Sequence, residues 1–272
     1  MILALVSKKG GVGKTTTAVN LAAALAARGH RVLLLDLDSQ ASASLSVGLS
    51  RGDFAPSMAD VLLKGMAAHE AIHPTGTPGL DLIPAGADLV SADYELGGFR
   101  HKERRLAESL EPLRGEYAFV FIDCPPSLSL LPLNALVASD GFIVPVVPQF
   151  LALAGVGNLL GAAERLGVRV GARTRLVGLL LTMVDYRLKA ARQNVEAIRR
   201  EFGRDVFAVE IRTNVRLAEA PGAGQPIFAY APEATGARAY ALLAEELLLR
   251  CWPAAKPEAP ALAAVQPTPG DP

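Results

Sequence analysis

Cysteine is nearly absent from this chain: Cys124 and Cys251 are the only two in 272 residues, and neither belongs to a CxxC pair or stands near a histidine cluster. The four histidines, His30, His69, His73 and His101, are equally scattered. These spacings imply no metal–sulfur site, and a reducing cytoplasm is the expected compartment. Excess charge is absent too, with 27 basic residues set against 27 acidic ones. Attraction to nucleic acid therefore cannot come from the chain as a whole and needs a local concentration of charge. No uninterrupted apolar run approaches the roughly 18 residues of a membrane span. No basic region precedes the first apolar stretch, so no leader is expected. Trp252, the single tryptophan, is expected to pack the last helix.

About half of the residues are hydrophobic, enough for one large core. Their distribution is informative. Ile2 to Val6, Val32 to Asp36, Leu80 to Ile83, Ala118 to Asp123, Gly141 to Val147 and Leu176 to Thr182 are short continuous apolar runs, with a weaker one from Val206 to Val209. Helix-length segments separate most of them. This alternation predicts an α/β fold, a doubly wound and mostly parallel sheet with helices on both faces. From Pro253 to Pro272 the chain turns Pro- and Ala-rich without periodicity, so a mobile tail is expected there.

Between the first strand and a helix predicted over Thr15 to Arg28, ending near Gly29, lies KKGGVGKTT, residues 8–16. Lys8 stands where a strict phosphate loop has its first glycine. The working parts are present nonetheless: Gly10, Gly11 and Gly13 let backbone N–H groups turn around a phosphate, Lys14 supplies a point charge, and Thr15 offers a hydroxyl to Mg²⁺. A strand, a glycine loop and a helix N-terminus together make an anion site. Two acidic signals close other strands, Asp36 and Asp38 in LLLDLDSQ and Asp123 in FVFID. The carboxyl ends of strands are where open α/β sheets bind ligands.

The segment from Lys9 to Thr15 resembles the deviant Walker A loop of the ParA/MinD group of P-loop ATPases. Four further blocks, DCPPSLSLLPLNAL, ASDGFIVPVVPQFLALAGVGNLL, TMVDYR and TNVRLAEAPGAGQPIFAY, look like ParA/Soj-type partition ATPases, so the resemblance spans roughly residues 1 to 250. It implies one ATPase domain over residues 1–252 with residues 253–272 as its tail, and ATP and Mg²⁺ as ligands. Lys9, Gly10, Gly11, Val12, Gly13, Lys14, Thr15 and Thr16 would hold the nucleotide phosphates, with Met183, Thr213 and Asn214 near the base. Thr15, Asp36 and Asp123 would serve the metal. In that group the first lysine crosses a two-fold interface, so Lys9 would act on the partner subunit's nucleotide, Lys14 on its own, and Asp38 on the attacking water. Ser39 replaces the family's usual proline in this last motif.

Residues 165 to 216 carry 12 basic and five acidic side chains. Leu188, Ala191, Val195, Ile198 and Phe202 recur at helical spacing and predict one buried stripe, leaving Lys189, Arg192, Arg199 and Arg200 to the flanks and outer face. Arg187 and Arg216 match family blocks whose basic residues hold the DNA backbone. The resemblance thus implies an ATP-state homodimer bound to non-specific double-stranded DNA, a ParB-like stimulating partner, and a cytoplasmic, nucleoid-associated protein with no membrane contact. Two alternatives stand beside it: a MinD-like switch that positions a protein or membrane cargo, and a metabolic P-loop enzyme.

Overall fold

The computed structural model describes residues 1–149 and 152–251. Trp252 and the expected tail at 253–272 lie outside them. The strands are β1 (Ile2–Leu5), β2 (Val32–Asp36), β3 (His73–Pro74), β4 (Leu80–Ile83), β5 (Phe119–Asp123), β6 (Gly141–Val146), β7 (Arg175–Val184) and β8 (Ile211–Arg212). They form one sheet in the order β3-β4-β2-β5-β1-β6-β7-β8. All neighbours are parallel except β3 and β4.

Strand side chains alternate between two buried layers, as a sheet covered on both faces requires. Ile2, Ala4, Leu33, Leu35, Val120 and Ile122 face one core, while Leu3, Leu5, Val32, Leu34, Phe119 and Phe121 face the other. The first core is closed by helices that include α3 (Met58–Lys64), α4 (Ala92–Gly97), α5 (Arg105–Leu110), α6 (Leu130–Ala138), α7 (Ala152–Val170) and α8 (Lys189–Phe202). The second is closed mainly by α1 (Lys14–Ala26) and α11 (Thr235–Cys251), with smaller parts from α2 (Ser42–Ser46) and α10 (Ile227–Tyr230). Helix α1 is buried along most of its length, and its run of alanines lets it fit between the sheet and α11.

Six of the seven apolar runs are strands within two residues of the expected limits. Val206–Val209 is not. Val206 makes only an isolated bridge to Leu179, because the N–H groups of Ala208 and Val209 donate to the Glu246 carboxylate of α11, both at 2.9 Å. A side chain has taken the bonds a ladder would need, and pairing with β7 resumes only at Ile211. The buried stripe of α8 also begins later than expected. Leu188 has extended backbone ahead of the first helical residue and is 59% exposed, whereas Ala191, Val195 and Ile198 are buried.

Gly178 in β7 marks a close approach. A Cβ there would stand 2.5 Å from the Phe207 ring and 2.8 Å from the Arg250 guanidinium, which itself bonds the carbonyls of Val177 and Val206 and ties α11 to the sheet. Gly178→Ala is expected to lower the unfolding free energy by about 1–3 kcal/mol through overpacking. Gly157→Ala, in α7 with open space around it, is expected to raise it by about 0.5–1 kcal/mol. Urea unfolding of the two variants tests both signs.

Candidate functional site

The glycine loop joins β1 to α1. Gly11 and Gly13 have φ of +69° and +85°, the left-handed region where a side chain is costly. Gly13 is the N-cap of α1 and offers no side-chain oxygen, so the first-turn N–H groups are left for a ligand. Thr182 of β7 fixes the loop from beside it, its hydroxyl donating to the Val12 carbonyl at 2.9 Å. Lys14 is only 7% exposed and its ammonium lies 3.4 Å from the Lys9 carbonyl. The exposed Lys9 turns its ammonium elsewhere, onto the side chain of Gln149.

Parallel pairing of β2 with β5 places Asp36 directly beside Asp123, and both are fully buried. The Thr15 hydroxyl donates to Asp123 Oδ2 at 2.6 Å, while Oδ1 has no hydrogen-bond partner. Burial, reinforced by the neighbouring Asp36 charge, pushes the Asp123 carboxyl well above its usual range. An orphaned, buried carboxylate oxygen beside a threonine hydroxyl fits a small hard cation such as Mg²⁺. Asp36 differs. Its Oδ1 accepts the Asp38 N–H at 3.1 Å, and its Oδ2 accepts both the N–H and the hydroxyl of Ser44 at 2.8 Å. Burial raises its carboxyl to about 6 against these bonds. Asp36 is thus a hub for the segment carrying Asp38.

Asp38 is half-buried at the head of a tight turn in which its carbonyl accepts the Ala41 N–H at 2.7 Å and its carboxylate the Gln40 N–H at 3.0 Å. It lines a cleft of about 540 Å³ together with Gly10, Lys14 and Thr15. A second hollow, of about 260 Å³, brings together Met183 near the end of β7 with Thr213 and Asn214 of the segment that follows β8. Gly13, Thr16 and Met183 line both, so the two spaces adjoin. Sequence reasoning missed Leu217 and Tyr240 in this hollow. Tyr240 comes from α11 and shares a hydrogen bond with Thr17 at 3.2 Å, a contact across 223 positions that no local pattern announces. The Asn214 side chain also has a local duty: its carbonyl caps α9 (Val215–Glu219) by accepting the Leu217 N–H.

The basic residues separate into two kinds. Arg187, 86% exposed, forks onto Asp185 at 2.7 Å and draws that carboxyl down to about 2. Arg216 pairs with Glu219 at 2.8 Å. The Val184–Arg212 pairing and the Thr213 N–H to Val184 carbonyl bond bring the two blocks together at the carboxyl ends of β7 and β8. Lys189, Arg192 and Arg200 are exposed on α8. Arg199 is not on the outer face. It pairs with Glu210 at 2.7 Å and bonds the carbonyls of Phe207 and Ala208, bracing α8 against the segment before β8.

Because folding raises both buried carboxyls, the folded chain holds their protons more tightly than the unfolded chain does. The cost of their charge is therefore fully present above the raised values and relieved as pH falls through them, for Asp36 from about 6 toward 3.8. Asp123→Asn is expected to melt higher than the unsubstituted protein at pH 7.5 without ligand. The gap should shrink on acidification to pH 5, and the added stabilisation by Mg²⁺ with nucleotide should be lost. Thermal melts across that range check all three.

Comparison with known proteins agrees over nearly the whole chain. A family model described as an AAA domain matches residues 1–173. The chromosome-partitioning ATPase Soj of Thermus thermophilus is 46% identical over 251 residues, covering 91% of this chain and 95% of that protein. The chromosome partitioning protein ParA of Caulobacter vibrioides is 42% identical over 251 residues, covering 92% and 94%. Among solved structures, a cobyrinic acid a,c-diamide synthase of Mycobacterium smegmatis with bound ADP and magnesium superposes with a TM-score of 0.80 at 33% identity, covering 92% of this chain and 94% of that one. With the glycine loop, its extra lysine and the paired strand-end carboxylates in place, these likenesses establish that the chain belongs to the ParA/Soj-type partition ATPases of the ParA/MinD deviant Walker A P-loop family.

Proposed function

We propose that this protein is an ATP-dependent dimerising switch: two ATP-bound subunits meet face to face, the dimer holds DNA without sequence preference, and partner-stimulated hydrolysis releases it, positioning DNA or another cargo. The observation that carries the reading is the division between the two loop lysines. Lys14 is buried against its own loop, while Lys9 is exposed and its ammonium is turned away. One serves the phosphates of its own subunit and the other is free to serve a neighbour's.

In this reading residues 10–16 wrap the phosphates and the hollow at Met183, Thr213 and Asn214 takes the base. Asp123 and Thr15 would hold Mg²⁺, with Asp36 fixing the segment beside it. When bound, the metal neutralises charge on the phosphate oxygens. Asp38, on the turn that Asp36 anchors, orients the attacking water. Catalysis is otherwise positioning and charge stabilisation. A site that awaits a partner is incompletely organised, so turnover of the protein alone is slow. Arg187, Lys189, Arg192, Arg200 and Arg216 offer the charge for a phosphate backbone, doubled by dimerisation, and such contacts are non-specific and salt-sensitive. Arg199 contributes there only by bracing α8.

One observation favours a second reading, a MinD-like switch acting on a protein or membrane cargo: Arg187 and Arg216 each already have a carboxylate of their own. Their net offer to DNA is reduced accordingly.

Lys14→Ala is expected to abolish nucleotide binding by the single subunit. Lys9→Ala should leave it within about twofold, because a residue directed at a partner adds no ground-state contact in its own subunit, yet it should weaken ATP-dependent association. Nucleotide titration beside sedimentation separates these roles, and equal loss of monomer affinity in both variants would refute the division.

For DNA, the slowly hydrolysing Asp38→Ala protein is expected to bind duplex with Mg²⁺ and ATP but not with ADP. Reversing Arg187 and Arg216 to glutamate should reduce the log–log salt slope by about 0.9 per lost phosphate contact. Retention of DNA by the reversed protein at moderate salt removes this surface. A dimer indifferent to DNA moves the reading to the second class of cargo.

A further inference from the structure

The Lys9 ammonium donates to the side-chain carbonyl of Gln149. Gln149 lies just after β6, where its backbone is already committed: its N–H donates to the Val147 carbonyl at 2.8 Å and its carbonyl accepts the N–H of Ala152, the first residue of α7, at 2.9 Å. Its side chain is free of these duties and meets Lys9 across 140 positions of sequence. Beneath the pair is a hollow of about 330 Å³ walled largely by Val12, Val144, Val146, Val156 and Leu159, with no carboxylate among the described residues that line it. In this hollow the acceptor offered to Lys9 is a neutral amide.

That neutrality matters for strength. A carboxylate would add the attraction of an opposite charge to the bond, whereas one exposed bond from the ammonium to a neutral amide lacks that ion-pair attraction and is modest and easily exchanged. A lysine that must leave its own subunit for a phosphate needs a resting place of this second kind. Without one it loses more side-chain entropy on docking, and with too strong a one it stays at home.

We propose that Gln149 is a positioning residue that parks Lys9 in the single subunit and sets how readily it is released to the nucleotide of a second subunit. The proposal rests on Lys9 acting across a dimer. It adds the competing acceptor, so dimer affinity is the difference between two bonds to one ammonium: Lys9 to Gln149 before association, Lys9 to phosphate after it. Turning Gln149 into a non-acceptor should therefore tighten the dimer. If the Gln149 side chain instead braces the interface or touches nucleotide, the same change should loosen it. The two roles predict opposite signs.

The test uses the full chain carrying Asp38→Ala, with Mg²⁺ and ATP, and reads the dimer dissociation constant by sedimentation. Gln149→Met keeps an unbranched side chain of similar size over the apolar hollow and removes the acceptor. Loss of one modest bond per subunit is expected to tighten the dimer by roughly 2- to 10-fold for each subunit. Gln149→Glu should weaken it. In a Lys9→Ala background the difference between Gln149 and Gln149→Met should vanish, which a merely structural role would not produce. Urea unfolding of each variant confirms that the subunit itself is intact. A Gln149→Met dimer of equal or lower affinity, or an effect that persists without Lys9, overturns the proposal. If the Asp38→Ala reference forms no ATP-dependent dimer, the dimerisation reading fails first and takes the parking role with it.

Discussion

Two carboxyl groups held side by side out of water are the constraint around which this molecule is arranged. Parallel pairing of β2 with β5 puts Asp36 beside Asp123 at the carboxyl end of the sheet, where burial and mutual repulsion both work against their charge. The protein resolves the conflict differently for each. Asp36 is satisfied internally by Asp38 and Ser44, which organises the following turn and links it to the segment just after β4, because the Ser44 hydroxyl also accepts the Ala85 N–H. Asp123 keeps one oxygen unanswered beside Thr15. One acid thus builds the scaffold and the other remains available for a cation.

The rest of the site follows from loops that converge on this pair. The glycine loop is anchored by Thr182 of β7, and the strand that carries this anchor ends in the segment bearing Met183 and Arg187. The hollow at Met183, the glycine loop and the basic surface therefore hang from one element.

Much of this was legible in the chain. Continuous apolar runs ending in aspartate placed β2 and β5 and their carboxylates, since a strand buried on both faces has little room for any other composition. Glycine and lysine spacing placed the phosphate loop. What escaped depended on partners distant in sequence. Val206–Val209 looks like a strand until Glu246 of α11 takes its N–H groups. Arg199 looks like a surface charge until Glu210 and two carbonyls fold back onto it. Tyr240 and Gln149 carry no local pattern at all, because their roles arise only when α11 and the end of β6 reach the loop.

The same Glu246 bonds have a consequence at the margin of the sheet. By consuming the N–H groups of Ala208 and Val209 they keep β8 to two residues, and at the opposite margin β3 is equally short and includes Pro74, which has no N–H to donate. Neither border presents a long row of open donors and acceptors on which a foreign strand could zip. Border-to-border joining of copies, the route by which exposed strands aggregate irreversibly, is thereby disfavoured at both margins of the sheet.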